Sequence, residues 1–419
     1  MTVIPETQAP WPARDALRIT GVRTVVTAPE GVNLVVVRID TNDPGLYGLG
    51  CATFHQRFAA VVAAVDQHLA PLLIGRHPAD ISDIGRMLHY SGYWRGGPVE
   101  NSALSGVDMA LWDIAGKRAG MPVYELLGGR LRGDVPVYLH AAGATIDETL
   151  DQAAGFVAEG YRHVRLQTGQ PGLGTYGAPG SRGAYPGAPY PDGWSVDHYL
   201  AQTPRLFAAA RERLGDDVEL LHDVHSRLTP KQAVVLARAL EPYRLFFLED
   251  VIAPEHYDRL PEVRAASPVP IAVGELTATV ADAARLVTAG GVDLLRCHIS
   301  AIGGLTPGRK LADLCELSGV QTAWHAPADV SPVGAAANLA LDLTSPAFGI
   351  QEGHVYPDAV HEIFPGTPVI RAGYAIPSES PGWGIELDEK AAEAFPPVFG
   401  GHERWTARVR RPDGAVEAP

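Results

Sequence analysis

Three short apolar runs in this sequence end in a carboxylate at equal intervals. The runs are Leu220-Leu221-His222-Asp223, Phe246-Phe247-Leu248-Glu249 and Ile271-Ala272-Val273-Gly274-Glu275. The three acids are 26 residues apart (249 − 223 = 26 and 275 − 249 = 26), which accommodates one strand, one helix and two connections. Because the carboxyl ends of successive parallel strands lie at the same mouth of a barrel, we expect Asp223, Glu249 and Glu275 to converge there.

Three converging carboxylates predict a site for a hard divalent cation. A single acid at a strand end often caps a helix or pairs with arginine instead, but three at equal spacing favour a metal. Oxygen ligands favour Mg²⁺ over zinc. Such a cation can anchor an anionic substrate and neutralise the second negative charge that forms when a proton leaves the carbon beside a carboxylate.

From Val135 onward, short strands alternate with helices. The predicted strands are Val137 to His140, His163 to Gln167, Glu219 to Asp223, Leu245 to Glu249, Ile271 to Val273, Leu294 to Cys297, Gln321 to Trp324 and Phe348 to Glu352. The clearest helical segments are Thr149 to Glu159, Pro230 to Leu240, Val280 to Ala289 and Gly308 to Ser318. Eight such units predict an α/β fold, a modified TIM (β/α)8-type barrel with its strand ends on one rim.

The remaining segments predict a second domain. Ile19 to Val26 and Val32 to Ile39 resemble a hairpin, and Ala59 to Leu73 and Asn101 to Ala119 have helical periodicity. We therefore expect residues 1–133 to form an α+β capping domain and residues 134–373 to form the barrel with the catalytic site. The tail, residues 374–419, should return to the cap.

Composition excludes several classes of function. A chain of 419 residues with 46% hydrophobic and 20% charged content is long enough for two cores. The net charge of −14 disfavours nucleic acid or an anionic membrane as partner. The sequence has no run of about eighteen apolar residues and does not begin like a secretory signal, so a cytoplasmic location is expected. Three cysteines without a Cys-x-x-Cys pattern are expected to be reduced, buried thiols.

Several motifs resemble the enolase superfamily over nearly the whole chain. They are the three-carboxylate spacing, Gly274-Glu275, Gly106-Val107-Asp108-Met109-Ala110-Leu111-Trp112-Asp113 and Tyr124-Glu125-Leu126-Leu127-Gly128-Gly129. The resemblance implies a Mg²⁺ enzyme that takes a proton from the carbon beside a carboxylate. Many members use a lysine base after the second or sixth barrel strand. Here those positions read Arg165-Leu166-Gln167 and Arg296-Cys297-His298, and the four lysines of the chain lie on predicted helices or in the tail.

Within the superfamily, the chain is most similar to the mannonate dehydratase family. The matching segments are residues 165–172, 175–177, 223–225, 324–332 and Glu352. That resemblance implies Mg²⁺-dependent dehydration of a sugar acid of the D-mannonate or D-gluconate class to a 2-keto-3-deoxy acid. Tyr176 would remove the C2 proton with Arg165 beside it, and His225 would protonate the departing 3-hydroxyl. A guanidinium would lower the pKa of a phenol, which is otherwise near 10.

The resemblance also implies a set of substrate-binding residues. They are His55, His140, Arg296, His325, Pro327 and Glu352. His55 stands where family members usually have Asn, and Pro327 stands where they vary, so the identity of the sugar acid stays open. The glycine- and proline-rich residues 169–194, which contain Tyr176, are expected to form a lid over the site.

Two other functions remain compatible with these features. One is a non-catalytic or weakly active relative that binds ligands or regulates. The other is a superfamily epimerase or dehydratase with another acid-sugar substrate. In every case a homo-oligomer is expected.

Overall fold

The computed structural model describes residues 15–171, 193–400 and 409–416. Its N-terminal part begins with a three-stranded antiparallel sheet, formed by β1 (Ile19–Thr27), β2 (Leu34–Thr41) and β3 (Tyr47–Cys51). The sequence predicts β1 and β2 but not β3, because glycine disfavours strands. The glycine is required here: a Cβ on Gly50 would lie 1.8 Å from the carbonyl oxygen of Gly106.

The helices of this part pack against the sheet. They are α1 (Phe58–Ala63), a π-helical turn (Ala64–Leu69), α2 (Ala70–Leu73), α3 (Ile81–Tyr90), α4 (Pro98–Ala119) and α5 (Val123–Leu126), preceded by a 3-10 turn (His55–Arg57). The predicted helix over residues 59–73 is therefore three consecutive pieces. Helix α4 begins with Pro98 and ends before Gly120, whose φ of 68° suits only the left-handed region.

Two buried acids of α4 join the parts of the molecule. Asp113 accepts hydrogen bonds from the backbone N–H groups of Leu49 and Trp383, each at 2.9 Å. Asp108 accepts one from the N–H of Thr306, also at 2.9 Å, at the start of a barrel helix. The sheet, the barrel and the C-terminal tail therefore all attach to α4.

Eight parallel strands close the barrel. They are β4 (Val135–Gly143), β5 (His163–Thr168), β6 (Glu219–Asp223), β7 (Phe247–Glu249), β8 (Ile271–Val273), β9 (Leu294–Leu295), β10 (Gln321–Thr322) and β11 (Gln351–Glu352). Strands β4 to β10 pair in sequence order, and β11 pairs with β4. A parallel bridge between Thr322 and Phe348 completes the ring. The predicted barrel is confirmed, although several of its strands are shorter than predicted.

Helices surround the barrel. They are α6 (Ile146–Ala158), α7 (Val196–Leu214), α8 (Pro230–Leu240), α9 (Leu260–Ala266), α10 (Val280–Thr288), α11 (Leu305–Ser318), α12 (Pro332–Thr344) and α13 (Asp358–Ile363). Helices α6 and α8 begin with capping boxes, at Thr145 with Glu148 and at Thr229 with Gln232. Shorter 3-10 segments cover Glu241–Tyr243 and Pro254–Arg259.

The barrel interior is filled by one buried layer of side chains. Seven strands or their immediate extensions contribute to it, with Tyr138, Leu221, Phe247, Ala272, Leu294, Ala323 and Ile350. Side chains of a strand alternate between faces. The residue two positions after each layer member therefore points inward as well, one step closer to the rim. Those positions include His140, Asp223, Glu249, Arg296, His325 and Glu352.

The tail returns to the N-terminal sheet. After β12 (Val369–Arg371) and β13 (Tyr374–Ile376), which pairs with β4, the chain reaches Trp383 and α14 (Glu389–Ala392). The indole of Trp383 donates to the carbonyls of Leu49 and Met109 at 3.0 and 3.1 Å. Residues 409–416 lie instead beside the start of α7, where the carbonyl of Arg410 accepts a hydrogen bond from Trp194. The proposed bounds of the three-part division stay a prediction.

Two further expectations concern the chain as a whole. Cys51, Cys297 and Cys315 are all buried and unpaired. Within the described ranges, no helix combines the length and the apolar character that crossing a membrane requires. Most of the expected lid, including Tyr176, lies outside the described residues.

Candidate active site

The three predicted acids lie together at the mouth of the barrel. Asp223 and Glu249 end β6 and β7 and are register partners, and Glu275 follows β8. Carboxylate oxygens of Glu249, Asp250 and Glu275 all lie within 4.8 Å of one another. Asp250 was not among the predicted residues, and the structure adds it to the cluster.

Asp250 is a buried carboxylate whose own environment does not balance its charge. Its side chain is 1% exposed, and both carboxylate oxygens lack a hydrogen-bond partner among the described residues. Burial, reinforced by the charges of Glu249 and Asp223, raises the pKa of Asp250 well above its ordinary value. Burying a carboxylate without a partner costs free energy, so a positive charge beside Asp250 would stabilise the folded protein.

Two arginines from opposite sides of the barrel bind the central acid. Arg165 of β5 donates through Nη1 to both carboxylate oxygens of Glu249 at 2.7 Å. Arg296, just beyond β9, contacts Glu249 at 2.5 Å and Glu352 at 3.1 Å. Its other guanidinium nitrogen donates to the hydroxyl of Tyr138 at 2.6 Å. The side chains of Arg165, Arg296, Glu249 and Glu352 are buried.

The positive charge of these two arginines does not balance the negative charge of all the buried acids. Even with both guanidinium contacts, burial raises the pKa of Glu249 to about 7. Burial, then Asp250 and Glu249, raises the pKa of Glu275 well above its ordinary value. For Asp223, by contrast, Arg165, His225 and Arg227 outweigh burial, and its pKa is lowered. A divalent cation between these oxygens would supply the missing charge.

The predicted substrate residues His140 and Glu352 bind each other. His140 Nε2 lies 2.7 Å from Glu352 Oε1, and His140 Nδ1 lies 3.2 Å from Arg165. Glu352 also accepts the N–H of Ala326 at 2.8 Å. Burial and then Arg165 lower the pKa of His140. In Glu352, Arg296 and His325 outweigh burial and hold its pKa well below the ordinary value.

Arg296 and Glu352, two predicted substrate-binding residues, are buried in the network of acids and arginines. Arg296 is 0% exposed and Glu352 is 2% exposed, so their described contacts are with other side chains and the backbone. Both residues hold the central acids in place, and their contact with a sugar acid stays a prediction. His140 is more accessible, with 23% of its side chain exposed.

His225 sits on a turn of unusual backbone geometry. His225 and Ser226 have φ values of 56° and 63°, a conformation that costs non-glycine residues energy. The N–H of His225 donates to Asp223 Oδ1 at 2.6 Å, which ties this turn to the acid cluster. Arg227 Nη2 lies 3.0 Å from His225 Nδ1. Because a guanidinium can only donate, Nδ1 accepts, and a neutral His225 ring carries its proton on Nε2.

A histidine cluster lies on the other side of Glu275. His325 Nε2 is 3.1 Å from Glu275 Oε2, and the His325 and His298 rings are 5.2 Å apart. Asp329 lies 3.7 Å from His298 and 3.8 Å from His55 of the cap. Burial lowers the pKa of His325 to about 3. In Asp329 the hydrogen bond and charge of His298, with the neighbouring histidines, outweigh burial and lower its pKa.

The structure thus brings the predicted His55 and His325 to one place. Pro327 lies on the same loop as Asp329, where its carbonyl accepts the N–H of Val330 at 3.0 Å. Sequence reasoning assigned no role to His298, Asp329 or Arg227. His298 follows Arg296 by two residues, so strand alternation was the signal that could have identified it.

Comparison with known proteins agrees with this geometry. Residues 148–391 match the family described as enolase C-terminal domain-like. Residues 12–128 match the N-terminal domain family of mandelate racemase and muconate lactonizing enzyme. A Catenulispora acidiphila protein named D-galactonate dehydratase family member is 72% identical over 416 residues, covering 99% of this chain and 97% of that protein. The chain belongs to the D-galactonate dehydratase family of the enolase superfamily.

Other members of the family are also close in sequence and structure. A Pantoea ananatis protein of the same family name is 49% identical over 425 residues, covering 96% of this chain and 99% of that protein. The crystal structure of a Pantoea ananatis enolase with bound D-gluconate and magnesium has a TM-score of 0.91 at 49% identity, covering 96% of this chain and all of that chain. The resemblance to the enolase superfamily is confirmed, whereas the narrower mannonate dehydratase assignment stays a prediction.

Replacing Arg296 by Met tests the buried network. The variant removes one of the two guanidinium groups that Glu249 and Glu352 share and leaves only Arg165 to balance both buried acids. We therefore expect Arg296→Met to lower the free energy of unfolding by about 3–5 kcal/mol. The matched control is Arg264→Met, which removes a pair with Asp293 at the surface, worth about 1 kcal/mol or less. Urea unfolding in EDTA measures both. Equal losses in the two variants would contradict the assigned role of Arg296.

Proposed function

We propose that this protein dehydrates a sugar acid to a 2-keto-3-deoxy acid with Mg²⁺ as cofactor. The observation that carries the proposal is the convergence of Asp223, Glu249 and Glu275 at the barrel mouth, next to His225. The family name and the D-gluconate and magnesium of the Pantoea ananatis structure support it. D-Mannonate and D-gluconate are the first substrates to test, followed by D-galactonate.

The donor set fits Mg²⁺. Asp223, Glu249 and Glu275 would hold the ion, and the carboxylate of Asp250 lies beside them. Oxygen-only ligation and the excess of acids over arginines both suit a hard divalent cation. Bound there, Mg²⁺ would act as a Lewis acid that holds the substrate carboxylate and offsets the negative charge formed when the C2 proton leaves.

Two side chains would move the protons. The phenolate of Tyr176 takes the C2 proton, and the electron pair left on C2 expels the 3-hydroxyl as the C3–O bond breaks. His225 gives the departing hydroxyl a proton, so that water leaves. The resulting enol then tautomerises to the 2-keto-3-deoxy acid. The contact between Arg227 and Nδ1 supports this role, because it leaves the His225 proton on Nε2.

Arg165 and the histidine cluster would prepare the site. A guanidinium near Tyr176 would favour the phenolate, and the guanidinium of Arg165, in β5, is held by Glu249 and His140. His325, His298, Asp329 and His55 offer donors and acceptors for the sugar hydroxyls. The proposal retains the expected cytoplasmic location and homo-oligomeric state.

A substrate panel tests the reaction itself. We expect the purified protein with Mg²⁺ to convert at least one aldonic acid of the panel to a product that forms a semicarbazone, as 2-keto acids do. EDTA should abolish this turnover, and restored Mg²⁺ should recover it. Absence of product from D-mannonate, D-gluconate, D-galactonate and their epimers would count against dehydration and favour a ligand-binding relative.

Isotope exchange separates the two proton transfers. In D₂O, Tyr176→Phe should lose both C2-proton exchange and dehydration by about 10²- to 10⁴-fold. His225→Asn should lose dehydration by a similar factor while C2 exchange continues. The control is Tyr185→Phe, another tyrosine of the same segment, which should retain both activities. Full activity of Tyr176→Phe would remove Tyr176 from the mechanism.

A further inference from the structure

Two aromatic side chains project into solvent from the loop between α3 and α4. Tyr93 and Trp94 are each 89% exposed, and their rings meet edge to face at 5.5 Å. Tyr90, at the end of α3, is 50% exposed and lies between the guanidinium groups of Arg86 and Arg95. Large exposed aromatic groups that lie together are characteristic of binding surfaces. We call residues 91–97 the aromatic loop.

A cavity of about 660 Å³ opens beside the aromatic loop, at the junction of the cap and the barrel. We call it the junction cavity. Tyr90 and Gly96 line the cavity, and the segment between them, which carries Tyr93 and Trp94, does not. The two exposed aromatic residues therefore lie at the edge of the cavity. The opposite walls come from α4, α10 and α11 and are largely apolar. They include Leu104, Val107, Leu111, Ala281, Ala284 and Pro307.

We propose that the aromatic loop and the junction cavity form the docking surface for a second copy of this chain. In this arrangement Tyr93 and Trp94 of each copy enter the junction cavity of the other. A protrusion and a cavity on the same face of one chain are self-complementary, as a two-fold symmetric interface requires. A small ligand would fill the cavity but would leave both aromatic side chains in water.

The area available suits a stable dimer. Aromatic side chains bury about 150–250 Å² each, so Tyr93 and Trp94 supply roughly 300–500 Å² per copy. A standard interface buries about 800 Å² per partner. Tyr90, which is 50% exposed, and the cavity walls can supply the remainder.

Charge also favours a second copy at this face. The chain carries a net charge of −14, so two identical molecules repel each other on average. This face instead carries both signs, with Arg86 and Arg95 on the same helix and loop region as Asp83 and Glu100, all four of them exposed. A two-fold arrangement can set the arginines of one copy against the acids of the other.

The docking surface also adjoins the metal site through one short connection. The side chain of Asn101 donates to the carbonyl of Ala278. A Cβ on Gly96 would lie 3.1 Å from Thr279, only four residues after Glu275. The second copy would therefore brace the segment that follows a proposed Mg²⁺ ligand.

Sedimentation velocity of the full chain tests the proposal. We expect the wild-type protein to sediment as a dimer or a multiple of one at micromolar concentration. The double variant Tyr93→Ser/Trp94→Ser should associate about 100-fold or more weakly, because central aromatic residues dominate such interfaces. Both side chains are exposed, so the far-UV circular dichroism spectrum should not change.

A second variant and a control make the result specific. Ala281→Glu places a charge on the exposed opposite wall, at the first turn of α10 where an acid suits the helix, and should weaken association as well. Leu317→Ser removes an apolar side chain that is 86% exposed near the C-terminal end of α11, beyond the part of that helix that lines the cavity, and should leave association unchanged. A monomeric wild type would overturn the proposal. So would association that survives in Tyr93→Ser/Trp94→Ser or in Ala281→Glu.

Discussion

The site depends on the contacts between two buried arginines and the acids inside the barrel. Arg165 and Arg296 come from β5 and from the chain just after β9, and both bind Glu249 between them. Arg296 also joins Glu352 to the hydroxyl of Tyr138 in the layer below. Breaking one partner of a buried ion pair leaves an uncompensated charge, so these contacts fix the strand ends relative to one another. The positions of the acids at the barrel mouth therefore depend on these ion pairs.

The same network leaves a deficit of positive charge. The raised pKa values of Glu249, Asp250 and Glu275 all follow from burial among like charges. The pKa of Asp223 is lowered, because the charges of Arg165, His225 and Arg227 outweigh its burial. A divalent cation would reverse this imbalance without any change of fold. The cap completes the opposite side of the mouth through His55, which meets Asp329 of the barrel. The histidine-rich side of the mouth thus combines His55 of the cap with His298, His325 and Asp329 of the barrel.

Sequence reasoning recovered the barrel because apolar strands and helices alternate with a regular period, and the same period placed Asp223 and Glu249 at the ends of neighbouring strands. It missed Asp250 for a physical reason. In a regular strand, Asp250 would point away from Glu249. Strand β7 ends at Glu249, however, and a φ of 38° turns the backbone at Asp250, which brings its carboxylate to the same cluster.

The other differences have similar causes. Arg227 follows two residues in the left-handed region, which no periodic pattern predicts. The meeting of His55, His298 and Asp329 depends on how the cap sits on the barrel, and that packing is fixed by distant contacts of α4 such as Asp108 with Thr306. The contacts of Arg296 with Glu249 and Glu352 were not predicted, because its burial is a property of the closed ring and not of its neighbours in sequence.

The most direct test of the central claim is to locate the cation. Crystals grown with Mn²⁺ in place of Mg²⁺ and with D-gluconate would show the ion in an anomalous difference map. We predict one peak bound by Asp223, Glu249 and Glu275, with the sugar acid between it and His225. A peak held by His298, His325 and Asp329, which also form a cluster with ligand spacing, would contradict the account. So would a map with no peak at either place.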